Sequence, residues 1–185
     1  AIRDSNVWGY GSTVAVVDSG VYVSDQTKAE LGVQTLRNFL GQADFADPVC
    51  VTEQIRKRTV THGTQFPDHC FTSMDHSRDP YGHGSHVTGI IWSNLFDWDT
   101  PIYLGIAPKA DILSVRVLDE NGEGTYARVI EGIQYVVQNK DTFGVRVLNL
   151  SLSAEATVPY FVDPLDRAVE AAWAAGIVVV AAAGN

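Results

Sequence analysis

Four residue types that serve nucleophilic catalysis stand where apolar runs end or a glycine-flanked helix begins. Asp18 closes the run TVAVVD, and His83 opens a helix pattern inside YGHGSHVTG. Ser151 closes VRVLNLS, and Gly184-Asn185 follow IVVVAAA. Ligands of parallel α/β sheets bind at the carboxyl ends of the strands, which is where Asp18, Ser151 and Asn185 fall. An acid, an imidazole and a side-chain amide meeting on one sheet edge are components of a site that activates a weak nucleophile. Other candidates point elsewhere less strongly. His86 follows His83 by three residues and shares a helix face with it, so HGSH suggests a metal pair, but a packed second histidine is the better reading. His62, His69 and His76 recur every seven residues, and Asp44, Asp47, Asp68, Asp75 and Asp79 crowd the same region, without a diagnostic ligand spacing. They read as a solvated acidic loop, and no metal site is assigned.

The elements that would hold these residues follow from periodicity. Thr13–Asp18, 111–118, 145–151 and 177–183 are short, nearly continuous apolar runs, the pattern of strands buried on both faces. Between them, 84–92, 125–139 and 164–175 read as helices. Val129, Ile130, Ile133, Val136 and Val137 keep helical spacing, and Pro164 and Gly176 punctuate the third helix at its start and just past its end. Strand and helix in alternation predict a parallel sheet with crossover helices. Residues 34–81 break the rhythm: they are polar, rich in Asp and His, and hold both cysteines, Cys50 and Cys70. A second irregular stretch, 94–104, holds Phe96, Trp98 and Tyr103.

Composition bounds the alternatives. The 185 residues carry a formal net charge of -9, which disfavours phosphate backbones and so nucleic-acid partners. No apolar run is long enough to cross a membrane as a helix. The start, AIRDSNVWGYG, lacks an initiator Met and a signal peptide, as a trimmed chain would. The two cysteines fit a loop-stapling disulfide and two free thiols about equally well. No phosphate-cradling glycine loop follows the first strand, which leaves nucleotide binding unsupported.

DSGV at 18–21, GHGSHVTG at 82–89, GIAP at 105–108 and AAAGN at 181–185 together resemble the subtilisin-like serine proteases, or subtilases. The similarity extends through LGIAPKADILSVRVLDENGEGTYARVIEGIQYVVQN and fails over much of 34–81 and around Trp98. The resemblance implies a three-layer α/β fold, a mostly parallel sheet with helices on both faces, here truncated. Residues 1–185 would then be the N-terminal part of a peptidase S8 catalytic domain, with a polar insertion at about 34–81. It implies that Asp18 orients His83, that His83 shuttles the serine proton, and that Asn185 donates to the oxyanion. It implies two substrate rails, Gly122-Glu123-Gly124 and Ser151-Leu152-Ser153, gripping a peptide as an added strand. Ser153-Ala154 stands where the family commonly has two glycines, which would narrow the primary specificity pocket, and Glu123 would favour basic residues nearby. Asn149 reads as a structural hydrogen-bonder.

The nucleophile is expected beyond Asn185. Thr72-Ser73-Met74 is similar to the family's nucleophile motif, but Phe71 and Asp75 flank it, it precedes His83, and Pro80 follows where a helix is needed. The expected function is therefore serine endopeptidase, inactive as this fragment alone. The alternatives are a specialised maturation protease or peptide macrocyclase, or a peptide-binding pseudoprotease. The expected partners are a peptide or protein substrate and the C-terminal remainder of the same domain, with no membrane. Secretion and a structural calcium follow from the family alone, and no further cofactor is implied.

Overall fold

The structure is a computed structural model that describes residues 8–22, 38–47, 70–72, 77–93, 96–97, 99, 102–103, 105–155 and 158–184. In chain order the elements are β1 (Thr13–Asp18), β2 (Phe39–Asp44), β3 (Phe71–Thr72), α1 (His83–Trp92), β4 (Phe96–Asp97) and β5 (Ile102–Tyr103). They continue with β6 (Asp111–Arg116), α2 (Tyr126–Gln138), α3 (Lys140–Phe143), β7 (Val145–Leu150), α4 (Pro164–Ala174) and β8 (Val178–Ala181). The main sheet has the order β3-β2-β6-β1-β7-β8. Its strands run parallel except for β3, which pairs antiparallel with β2. The expected strands and helices are all present, with ends shifted by one to two residues.

Alternation along β1 builds the three layers. Side chains of successive strand residues point to opposite faces. Val14 and Val16 join Phe39, Ile112 and Trp92 of α1 in one cluster, with Val87 and Ile91 packed against it. Ala15 and Val17 join Leu113, Val115 and Leu148, together with Ile133 and Val136 of α2 and Ala168 and Ala172 of α4. Helices therefore cover both faces, as the α/β reading requires. The local signals agree with this packing. Thr125 caps α2 by accepting from the Arg128 amide at 3.3 Å, and Asp163 caps α4 by accepting from the Leu165 amide at 2.7 Å, with Pro164 in the first turn.

The described parts of the polar stretch 34–81, which breaks the strand–helix rhythm in sequence, include regular structure. They supply β2, a strand inside the main sheet, and β3 beside it. The sequence FLGQAD hides this strand because its buried positions include Gln42 and Asp44, whose polar groups are met by hydrogen bonds. Gln42 Oε1 accepts from the Val21 amide at 2.8 Å and from Ser114 Oγ at 2.9 Å, while its Nε2 donates to the Arg78 carbonyl at 3.0 Å. Asp44 pairs with Arg116 of β6 at 2.9 Å, both side chains 6% exposed. The other irregular stretch holds a short antiparallel ladder of β4 and β5.

A buried ion pair is costly to break because the surviving partner keeps an uncompensated charge. Asp44→Ala is expected to lower the unfolding free energy by about 3–5 kcal/mol in a urea titration. The paired replacement Asp44→Leu with Arg116→Met should cost less than Asp44→Ala does. A single variant within about 0.5 kcal/mol of wild type would contradict the pair's role.

Candidate active site

Asp18 sits at the carboxyl end of β1 and is fully buried. Its Oδ1 accepts from the Ser19 amide at 2.7 Å. His83 begins α1, and its Nδ1 lies 2.8 Å from Oδ1 and 3.0 Å from Oδ2 of Asp18. A carboxylate only accepts, so Nδ1 carries the proton and a neutral ring presents its lone pair at Nε2. The Asp18 side chain is 1% exposed and that of His83 is 40% exposed. The pair is thus a sealed acid behind an accessible base. Gly84, next to His83, packs so close to the turn after β1 that a Cβ would collide with the Gly20 carbonyl oxygen.

His83 opens onto a cleft of about 670 Å³. Gly122, Glu123 and Gly124 line one side, and Ser151, Leu152, Ser153 and Ala154 line the other. Every residue expected in the two rails therefore faces the same cleft as His83. Tyr81 lies at its edge, with its ring over Gly122, where a Cβ would strike the ring. The Gly122 φ of 76° is in the left-handed region. Asn149 Nδ2 donates to Ser151 Oγ at 2.9 Å, which matches the structural role expected of it. Ser153 and Ala154 also line a second cavity of about 260 Å³ between the ends of β7 and β8, with Ala181–Gly184, Tyr126 and Asp163.

The first rail is folded by Asp119. Its Oδ1 accepts from the Asn121 amide at 2.9 Å and the Glu123 amide at 3.0 Å, and its own amide donates to the Glu123 carbonyl at 2.8 Å. The amide of Glu123, and then that of Asn121, holds the Asp119 carboxyl below its ordinary value of 3.8, with Arg128 and Arg116 adding attraction.

Other expectations fare differently. His86, expected to be packed, is exposed. α1 turns Gly84, Thr88 and Trp92 inward at steps of four, and position 86 falls off that stripe. Cys70 is buried and disulfide-bonded. Asn185, Cys50, Asp68, Asp75, His62, His69, His76, Trp98, Ser73 and Met74 lie outside the described residues. Among the described residues no group of three or more His, Cys, Asp or Glu is arranged to hold a metal ion.

The sequence profile of the subtilase family matches residues 9–185. The chain belongs to the subtilase family. It is 33% identical over 183 residues to the serine protease AprX of Bacillus subtilis, an alignment covering 96% of this chain and 34% of that protein. It is 39% identical over 130 residues to the major intracellular serine protease of the same organism, covering 70% of this chain and 37% of that one. Among solved structures it resembles a cold adapted subtilisin-like serine proteinase, with a TM-score of 0.62 and 29% identity. That match covers 97% of this chain and 49% of the other. The chain thus spans about a third of the length of these subtilases and half of the matching structure.

In the sequence Asp79 stands only as one acid of a solvated loop. The structure places it against α1, where its carboxylate accepts from the Gly82 and Ser85 amides at 2.8 and 2.7 Å. An acid just upstream of a helix with glycine at its N-cap was the available signal, since glycine has no side chain with which to cap.

A depressed carboxyl holds its loop at pH values above the ordinary pKa and releases it as pH falls through the lowered one. The NMR shifts of the Asn121 and Glu123 amides are therefore expected to titrate together with a midpoint below 3.8. They should not titrate in that range in Asp119→Ala. A shared midpoint at or above 3.8 would contradict this account.

Proposed function

We propose that this chain is the N-terminal part of the catalytic domain of a serine endopeptidase that hydrolyses peptide bonds. The observation that carries the reading is the buried Asp18 carboxylate holding Nδ1 of a partly exposed His83 at the mouth of a cleft with two peptide-lined sides. In this mechanism His83 Nε2 takes the proton from a serine hydroxyl supplied by chain beyond Asn185. That oxygen attacks the scissile carbonyl, and the Asn185 amide donates to the oxygen that becomes negative. Nε2 then returns the proton to the departing amine, and water repeats the cycle on the acyl-enzyme. Asp18 fixes the ring tautomer and stabilises the imidazolium formed in each half.

Substrate lies extended between 122–124 and 151–153, bonded through its backbone. Glu123 biases the cleft toward basic residues, and Ser153-Ala154 narrows the primary pocket. The insertion at about 34–81 belongs to this domain, because β2 and β3 extend its sheet. The disulfide at Cys70 supports an oxidising compartment, hence secretion.

The test is fluorophosphonate treatment of the full-length protein followed by intact mass, with casein cleavage in parallel. One covalent adduct and cleavage are expected. Asp18→Asn should lower kcat by about 10⁴-fold, the order of magnitude known for the same exchange in the chymotrypsin-type triad. Residues 1–185 alone should neither label nor cleave. A full-length protein that binds peptide but forms no adduct would instead be a pseudoprotease.

A further inference from the structure

Asp18 and His83 are 65 positions apart and belong to different elements, a strand and a helix. Their mutual hydrogen bond alone does not determine how the helix sits against the strand. A second connection runs beside it. Ser19, the residue after Asp18, accepts at Oγ from the amide of Gly84, the residue after His83, at 2.9 Å. The same hydroxyl donates to Asp79 Oδ1 at 2.7 Å. Its proton and one lone pair are thereby both committed.

Asp79 then closes the connection around His83. Oδ1 also accepts from the Gly82 amide at 2.8 Å, and Oδ2 accepts from the Ser85 amide at 2.7 Å. The amides of residues 82, 84 and 85 are therefore all fixed, directly by Asp79 or through Ser19. Ser85 in turn accepts at Oγ from the Tyr22 amide at 2.8 Å, which ties the first turn of α1 to the chain leaving β1. A carboxylate at this end of the helix also meets the positive end of its dipole.

We propose that Asp79 is a positioning residue for the Asp18–His83 pair, acting through the Ser19 hydroxyl; this rests on the protease reading above. Asp79 is absent from the cleft lining and bonds neither His83 nor Asp18 in the contacts described. Its part is to orient one proton. With Asp79 in place, the Ser19 hydroxyl points its hydrogen away from Asp18 and its lone pair toward Gly84. Without Asp79 that hydrogen needs another acceptor, and the Asp18 carboxylate is the neighbouring one. A donation from Ser19 would compete with His83 Nδ1 for the same oxygens and loosen the ring. Misplacement of a catalytic group by about 1 Å costs on the order of 100-fold in rate.

The test uses the full-length protein with Asp79→Ala, Asp79→Asn and Ser19→Ala, each confirmed as folded by its thermal melt. Two quantities are read: the split between kcat and KM on a peptide substrate, and the low-field proton resonance of His83 Nδ1. Asp79→Ala should lower kcat by about 10- to 100-fold with KM within twofold, and should shift or broaden the resonance. Asp79→Asn keeps an acceptor for Ser19 but sets an amide donor against the Ser85 amide, so its loss should be smaller. Asp79→Ala combined with Ser19→Ala should lose no more kcat than the worse single variant, because both remove one connection.

A residue that merely capped the helix would lower the melt and leave both quantities at wild-type values in the folded variant. That result overturns the proposal, as does an additive double variant. If Asp79→Ala does not fold, Asp79→Asn carries the same two readouts. If the wild type neither labels nor cleaves, the protease reading fails on its own. The His83 resonance then decides the positioning role, since it needs only the folded pair.

Discussion

Burying a carboxylate is unfavourable unless donors replace the water it loses, and Asp18 has no solvent contact. Its donors are the Ser19 amide and His83 Nδ1, and both impose geometry. The amide requires the chain to turn as soon as β1 ends. The imidazole requires the first residue of α1 to arrive within 3 Å of that turn. The close approach of Gly84 to Gly20, and the glycine at the N-cap of α1, follow from the second requirement. The site is thus a consequence of satisfying one sealed acid at the centre of the sheet.

The cleft beside it is built by the same means, polar groups closing on their own backbone. Asp119 folds the 119–123 loop through its own backbone amides, and Asn149 holds Ser151 from two residues earlier in the chain. A peptide laid between such edges meets walls already ordered, so less conformational entropy is lost on binding. Behind them, Gln42, Ser114, Asp44 and Arg116 form a polar layer across β2 and β6. Among the described residues the Arg116 Nε within this layer has no hydrogen-bond partner, which adds to the cost of the burial.

How much of this was legible varied with chemistry. β1 and β6 were plain because Val, Ile and Leu dominate strands buried on both sides. β7 and β8 showed the same apolar runs, but β7 is only partly buried and β8, expected to be buried, stands at the sheet edge with Val178 and Val180 exposed. α2 was plain because its apolar residues keep helical spacing. β2 was hidden because a strand that buries Gln42 and Asp44 has the composition of a loop, and only Ser114 and Arg116, distant in sequence, make it a strand. The positions of Asp18, His83 and both rails were legible through glycine-flanked motifs, whose spacing reflects close backbone contact. Asp79 was not, because an acid accepting backbone amides looks in sequence like any acid in a polar stretch. His86 was misjudged because its place on the helix depends on which stripe turns inward, and that is set by the sheet.

β1 comes first among the described strands, yet its partners on either side are Asp111–Arg116 and Val145–Asn149. At ordinary synthesis rates, Val145 follows Thr13 out of the ribosome on the order of 10 s later. Until Asp111–Arg116 has emerged β1 lacks the first of these two neighbours, and until Val145–Asn149 has emerged it lacks the second, and contacts of such long sequence separation form slowly. The strand that carries the acid is therefore framed on both sides only after most of these residues exist. Assembly of the proton-transfer pair is in this way coupled to completion of the sheet around β1. The same delay leaves TVAVVD, an apolar strand, waiting unpaired, the condition in which a strand edge is most open to association.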